Sequence, residues 1–361
     1  MRFKALKCLV AQRLKQLGIF RLMLPCNPGR GDPFNRLSWK LVKGELFVAD
    51  TAEAKQEHRR GRVIGECPPV KLLAYRGTVK PDAVVSRTPA SVRLDDVRYS
   101  YPEFLVDMSL FSRLTLREKR SLVVQLGMAY GVVKDYFTPE CFAVSCADSG
   151  VKEFLNLYFS PSPPFRCLAG PPEGKVVVLD PSGEEEFSHE EVDENTTIVV
   201  GGVVDTGGRL KGVTAELFPD AVHRRISFHG EVDIVPDRIN QIIRIVCEYL
   251  TSERSLNEVV AQFLTRDSKL RWLRGKLQKT MVRFLLDRTL IRGVPEDTVR
   301  EWMETYQISD FLLRKASRHV GGFMVFRPSI FSRVKGETRR RGMRVLILSE
   351  LGEEDVTAFY P

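Results

Sequence analysis

The chain has 361 residues, of which 43% are hydrophobic, 28% charged and 9% aromatic, a globular composition that excludes a disordered or fibrous protein. Its 55 Lys and Arg against 46 Asp and Glu leave a net charge of +9, which favours polyanionic partners such as nucleic acid or an anionic membrane surface. The length predicts two or three domains, no apolar run reaches membrane-spanning length, and seven cysteines with no Cys-x-x-Cys pair argue against a zinc site or a disulfide framework and for a reducing cytoplasm.

The opening MRFKALKCLVAQRLKQLGIFRLMLP is apolar but interrupted throughout by charges, and no small-residue cleavage site follows, so it is read as an amphipathic helix rather than a targeting peptide. Short β-like runs, ELFVAD and PVKLLAYRG, come next between Gly and Pro clusters, and residues 1–95 are expected to form a small α+β accessory domain. In SRLTLREKRSLVVQLGMAYGVVKDYF, Leu116, Val123, Leu126, Tyr130 and Val133 recur near helical spacing. CFAVSC then reads as a strand, SGVKEFLNLYF as a helix and GKVVVLDPSG as a strand. After the acidic EEEFSHEEVDEN comes a strand over residues 196–204, and Ile239, Ile242, Ile243, Val246 and Leu250 mark the buried face of a further helix. Continuous apolar strands alternating with helices predict a parallel sheet covered on both faces over residues 96–251. Residues 252–361 are read as mainly helical, with SERSLNEVVAQFL, RDSKLRWLRGKLQKTMVRFLLDR and a third helix around EDTVREWMETYQISDFLLRKAS, closed by a basic turn, a short strand and an acidic tail.

Ligands of parallel sheets bind at the carboxyl ends of the strands, where Asp180 and Asp205 each follow an apolar run directly. An aspartate there is often only a turn former or a helix cap. Asp237, opening the next helix, makes a third carboxylate for the same rim, suited to a cationic ligand or to a proton that must be removed. Gly201 and Gly202 remove side chains where backbone approaches something closely, a ligand or merely another strand. Their spacing is neither the dinucleotide fingerprint nor a phosphate loop. The five histidines are dispersed, and no metal ligand or catalytic base is expected among them. Arg224 and Arg225, the basic helix around Trp272 and the triplet Arg339, Arg340, Arg341 are candidates for phosphate contact.

The ordered series VVVLDPSG, TTIVVGGVVD, RLKGVT, RRISF and INQIIRIVCEYL, spread over Tyr99 to Leu250, resembles the tRNA purine-9 N1-methyltransferases of the SPOUT superfamily, and the VLDP form of the first segment is similar to the archaeal branch. That resemblance implies a SPOUT-type parallel α/β sheet with a C-terminal trefoil knot, flanked by an N-terminal α+β domain and a mainly helical C-terminal one. It implies S-adenosylmethionine as cofactor, tRNA as partner, no metal, no membrane and a cytoplasmic monomer. Asp205 matches the aspartate implicated in catalysis. Cofactor contacts are implied for Leu179, Asp180, Val200, Gly201, Gly202, Val235, Asp237 and Asn240, and RNA contacts for Arg209, Lys211, Arg224, Arg225, Lys276 and Lys279. The sequence departs from many relatives in TGGRL, which puts one extra residue between Asp205 and Lys211.

A sulfonium donor arrives activated, so the protein's task is alignment of a ring nitrogen with the methyl group. For guanine, Asp205 accepts the N1 proton as general base; for adenine, it orients the base or favours the developing positive charge. The sequence alone leaves two other readings open. A nucleotide-using α/β enzyme of unknotted fold predicts dinucleotide or triphosphate binding, and a non-catalytic RNA-binding module predicts that Asp205→Asn changes nothing.

Overall fold

In a computed structural model of the chain, the structure describes residues 3–25, 32–54, 59–146, 149–204, 213–216 and 218–361. Two compact units emerge, Met1–Ile226 with Asp237–Ser255, and Ser227–Pro236 with Leu256–Pro361.

The first unit begins with α1 (Leu6–Gln16), β1 (Arg21–Leu24), α2 (Pro33–Val42), β2 (Phe47–Asp50), β3 (Gly61–Cys67), β4 (Val70–Tyr75) and β5 (Ala83–Ser86), the strands forming a sheet in the order β2-β5-β1-β4-β3. The amphipathic helix expected over the opening segment is confined to α1, where Val10, Ala11 and Leu14 pack with Phe34, Leu37 and Leu41 of α2 over Leu22, Leu72 and Val85, while RLML at the end of that segment is instead strand β1. Pro33 opens α2, and the Asp32 carboxylate caps it by accepting from the Phe34 amide at 2.9 Å.

A second sheet follows, built from β6 (Glu103–Asp107), β7 (Phe142–Ser145), β8 (Arg166–Leu168), β9 (Lys175–Leu179), β10 (Glu185–Glu186), β11 (Thr196–Gly201) and β12 (Val222–Arg225). Its order is β10-β12-β9-β11-β6-β7-β8, and every pairing is parallel. Leu105, Ala143, Val178 and Val199 form one buried cluster across it. The helices are α3 (Leu116–Tyr136), α4 (Ser149–Tyr158) and α5 (Ile239–Thr251), of which α3 packs along α5 and α5 touches β11. A capping box starts α3, with the Glu118 carboxylate accepting from the Thr115 amide at 2.8 Å. Val123, Leu126 and Val133 are buried as expected, whereas Leu116, in the first turn, is exposed. The strand expected over residues 196–204 ends at Gly201, because its neighbours β9 and β6 end at Leu179 and Asp107 and leave no ladder beyond. Pairing of β7 with β8 also brings Cys146 and Cys167 together as a disulfide, which cysteine spacing gave no reason to expect.

The second unit corrects the mainly helical expectation. Beside α6 (Leu256–Phe263), α7 (Arg266–Thr280), α8 (Glu296–Glu304) and α9 (Asp310–Val320) it holds β13 (Val282–Leu286), β14 (Thr289–Pro295), β15 (Phe323–Phe326), β16 (Val334–Arg340), β17 (Met343–Leu348) and β18 (Val356–Tyr360). These strands form one sheet ordered β16-β17-β13-β14-β15-β18 around Phe284, Met324, Phe326, Leu346 and Leu348. The run expected as one helix through Arg288 is α7 followed by β13. Its hairpin to β14 turns at Asp287 and Arg288, both at positive φ (45° and 72°), so the glycine that usually announces such a turn is missing from the sequence. The third expected helix is broken into α8 and α9, with Gln307 between them at φ 54°.

Candidate functional site at the carboxyl ends of the parallel strands

From β6 the chain steps outward through β7 and β8 on one side, then returns to place β11 and β9 on the other. The order of the sheet therefore reverses at β6, and such a switch point leaves a crevice outside the carboxyl ends of the strands. The register aligns the residues of that rim. Leu179 lies opposite Val200, and Gly201 lies opposite Asp107. Asp180, one residue beyond Leu179, is the next position beside Gly201.

Two carboxylates are buried here. Asp180 is 3% exposed: one of its oxygens accepts from the Ser182 amide at 2.9 Å, and the other stands 3.3 Å from His223 Nδ1. His223 Nε2 lies 3.3 Å from the Phe218 carbonyl, so both ring nitrogens face acceptors. The Asp180 amide donates to the Arg224 carbonyl at 2.9 Å, and a side chain at Gly183 would strike the backbone of Arg224 at 2.9 Å, which is why the turn after Asp180 carries glycine. On the other side of β11, Asp107 accepts from the Ser109 hydroxyl at 2.5 Å and from the Ser145 hydroxyl at 3.2 Å, while the Met108 amide donates to Ser145 Oγ at 2.6 Å.

Gly202 has a specific steric reason. Its amide donates to the Asp107 carbonyl at 2.7 Å, and a Cβ placed on it would stand 2.3 Å from that same oxygen and 2.9 Å from Met108 Sδ. The close approach is to the neighbouring strand. Asn240, at the second position of α5, is 8% exposed, and among the described residues its Oδ1 has no hydrogen-bond donor. The end of α5 itself is completed from α3, since the Ile239 amide donates to Gln125 Oε1 at 2.9 Å in place of a side-chain cap.

The structure thus brings Leu179, Asp180, Val200, Gly201 and Gly202 to one rim, with the helix carrying Asn240 against β11. Asp237 is exposed just ahead of α5, and Val235 is buried within the second unit. Asp205, Arg209 and Lys211 lie outside the described residues. Among the cations expected to face RNA, Arg224 is only 19% exposed on its side chain and is held by Glu191 at 2.8 Å and Glu185 at 2.9 Å. Arg225 donates to the Gly183 carbonyl at 3.4 Å, Lys276 is paired with Glu231, and Lys279 is exposed. Sequence reasoning missed Asp107, although EFLVD ends an apolar run in aspartate just as KVVVLD does. It also gave His223 no role, because nothing local connects that residue to Asp180, 43 positions earlier. Among the described residues no cluster of three or more His, Cys, Asp or Glu is placed to hold a metal ion, and no helix is long and apolar enough to cross a membrane. A cleft of about 630 Å³ opens at the opposite end of the same sheet, between Tyr99, Glu103, Arg166 and Thr196.

No family model matches the sequence. Among curated proteins the chain is 29% identical over 283 residues to the tRNA (guanine(9)-/adenine(9)-N1)-methyltransferase of Thermococcus kodakarensis, covering 74% of each chain. It is 25% identical over 270 residues to the tRNA (adenine(9)-N1)-methyltransferase of Sulfolobus acidocaldarius, covering 72% of this chain and 84% of that one. Both of these relatives are named as tRNA purine-9 N1-methyltransferases. The crystal structure of Sulfolobus acidocaldarius Trm10 in complex with S-adenosylhomocysteine superposes with a TM-score of 0.60 at 17% identity, over 88% of this chain and all of that one, a likeness of fold. The GGVVD segment begins on the rim at Gly201, the last residue of β11.

Proposed function

We infer that the chain transfers a methyl group from S-adenosylmethionine to N1 of the purine at position 9 of tRNA. The observation that carries this is the similarity to two curated methyltransferases of that specificity over more than two thirds of the chain. It is supported by the rim, where a strand ends in glycine beside a helix whose buried Asn240 Oδ1 lacks a donor. S-adenosylmethionine carries N–H and O–H donors that suit such an acceptor, so the residues present fit the cofactor. When bound, it supplies a methyl group already activated by a sulfonium, with no further activation required.

Asn240 accepts a hydrogen bond from the cofactor, Leu179 and Val200 give apolar contact, and Gly201 lets backbone approach it. Asp180 shapes the loop beside them, and Asp237 serves as a polar contact at the start of α5. Asp205 is proposed to accept the N1 proton of guanine, or to orient adenine and favour the charge that develops on it. Because N1 lies on the pairing edge, the nucleotide must leave its stack, and the protein grips the folded RNA through its backbone. Arg209 and Lys211 are proposed for that grip. The family reading further proposes a trefoil knot at the C-terminal end of the parallel sheet, with residues 1–95 and 252–361 as accessory domains around a 96–251 core, acting as a cytoplasmic monomer. Incubation of unmodified tRNA transcripts bearing A or G at position 9 with methyl-labelled S-adenosylmethionine tests the assignment. Label should appear on N1 of that purine, and absence of incorporation into both transcripts refutes it.

A further inference from the structure

Several cations that the sequence offered for RNA are engaged within the protein, Arg224 by two carboxylates and Lys276 by one. The triplet Arg339, Arg340, Arg341 is arranged differently. It closes the hairpin between β16 and β17, at the edge of the six-stranded sheet. The turn residues Arg341 and Gly342 have φ of 50° and 78°, the conformation of a tight hairpin turn, so an arginine occupies a position that residues with a Cβ adopt reluctantly.

Register sets Arg339 directly opposite Arg344. Arg344 is bonded to Glu337 at 2.7 Å, whereas among the described residues no carboxylate is bonded to Arg339, Arg340 or Arg341, and all three are exposed. Like charges directly across a ladder cost stability; Glu337 offsets that cost at Arg344 and leaves Arg339 without a carboxylate of its own among the described residues. Charge on an edge strand also deters edge-to-edge pairing. That accounts for cations along β16 but not for arginines that continue through the turn. Further positive charge meets the tip from the sheet's own order. β17 runs parallel to β13, with Phe284 opposite Leu346, so the start of β13, immediately after α7, lies at the same end of the sheet as the arginine turn. The exposed Lys279 is in the last turn of α7.

We propose that this arginine-tipped hairpin is a phosphate-backbone grip for the tRNA substrate, distinct from the residues that handle the target purine. The proposal rests on the tRNA-methyltransferase reading above. Planar guanidinium forks match phosphate oxygens, and such contacts position a folded RNA without reading its bases.

The test is the full chain with Arg339→Ala, Arg340→Ala and Arg341→Ala together, compared with wild type for tRNA affinity over a salt series, methyl-transfer kinetics and thermal stability. Each phosphate contact contributes about 0.9 to the slope of log affinity against log salt. Loss of three lowers the slope by about 2–3 and weakens binding by up to about 100-fold near 0.15 M salt. The KM for tRNA should rise with kcat unchanged, the melting temperature should stay constant, and the triple Arg→Lys variant should recover most of the slope. An unchanged slope and an unchanged KM overturn the proposal. So does intact tRNA binding accompanied by lost binding to phosphatidylglycerol vesicles, which makes the hairpin a membrane contact. If wild type binds tRNA but transfers no label, the enzymatic reading fails while the salt slope still decides whether the hairpin grips RNA.

Discussion

Gly202→Ala is the sharpest test of how the rim is built. The added methyl would stand 2.3 Å from the Asp107 carbonyl oxygen and 2.9 Å from Met108 Sδ. The flexible methionine can move aside, but the carbonyl belongs to Asp107, the last residue of β6, which is paired with Gly201 of β11 and follows directly on Val106, itself paired with both β11 and β7. The strands must therefore separate, which breaks the 2.7 Å bond from the Gly202 amide to that carbonyl. Overpacking of this kind costs about 1–3 kcal/mol, and the lost backbone bond adds about 1 kcal/mol. A total of about 2–4 kcal/mol, against about 5–15 kcal/mol of typical stability, is severe but survivable. At about 2–4 °C per kcal/mol for a unit of this size, the melting temperature should fall by roughly 5–15 °C. Gly131→Ala is the matched control. It lies inside α3, and nothing stands within 4 Å of its Cβ position, so alanine should stabilise by about 0.5–1 kcal/mol through helix propensity. Calorimetric melts of both variants decide the matter. A Gly202→Ala melt within 1 °C of wild type would mean that the close approach to β6 is not what requires glycine there.

Asn240→Leu removes a buried acceptor that lacks a donor. The free protein should keep or gain stability, while S-adenosylhomocysteine, titrated calorimetrically, should bind about 5–30-fold more weakly, the equivalent of about 1–2 kcal/mol; unchanged affinity would remove Asn240 from the cofactor site. Arg224→Ala breaks contacts to Glu185 and Glu191, so the expected effect is a loss of about 1–2 kcal/mol in urea unfolding with little change in the salt dependence of tRNA binding. The reverse pattern would restore Arg224 to the RNA surface. Cys8 Sγ lies 3.1 Å from Cys67 Sγ, and a hydrogen bond from Cys67, aided by the charge of Lys7, draws the Cys8 thiol down to about 7 while Cys67 is pushed up. Cys8 should therefore be the thiolate above about pH 7 and be protonated below it, and mass mapping of iodoacetamide adducts should find it alkylated ahead of Cys67, Cys141 and Cys247, with a rate that climbs through pH 7. Equal labelling of Cys8 and Cys67 contradicts the assignment.

Amino-acid order alone determined the parts of this protein that depend on local period. Apolar runs such as KVVVL and TTIVVG had to be buried strands, the INQIIRIVCEYL pattern had to be a helix with one buried face, and the ends of those runs named Asp180, Gly201 and Gly202 as rim positions. The same local view misjudged much of the C-terminal unit, where the two-residue turn at Asp287–Arg288 makes a hairpin with no glycine to mark it, although the basic turn at Arg341 and the strand after it were legible. Tertiary structure decided what each rim residue faces. Strand order placed β6 beside β11, so Gly202 answers to the Asp107 carbonyl, and helix packing let Gln125 complete α5 beside Asn240. It also decided which cations are spent inside the protein and which stay exposed at the Arg339–Arg341 turn. The physical reason is range. Periodicity is written within a few residues, whereas partners such as His223 and Asp180 stand 43 positions apart and meet only when non-local pairing closes the sheet.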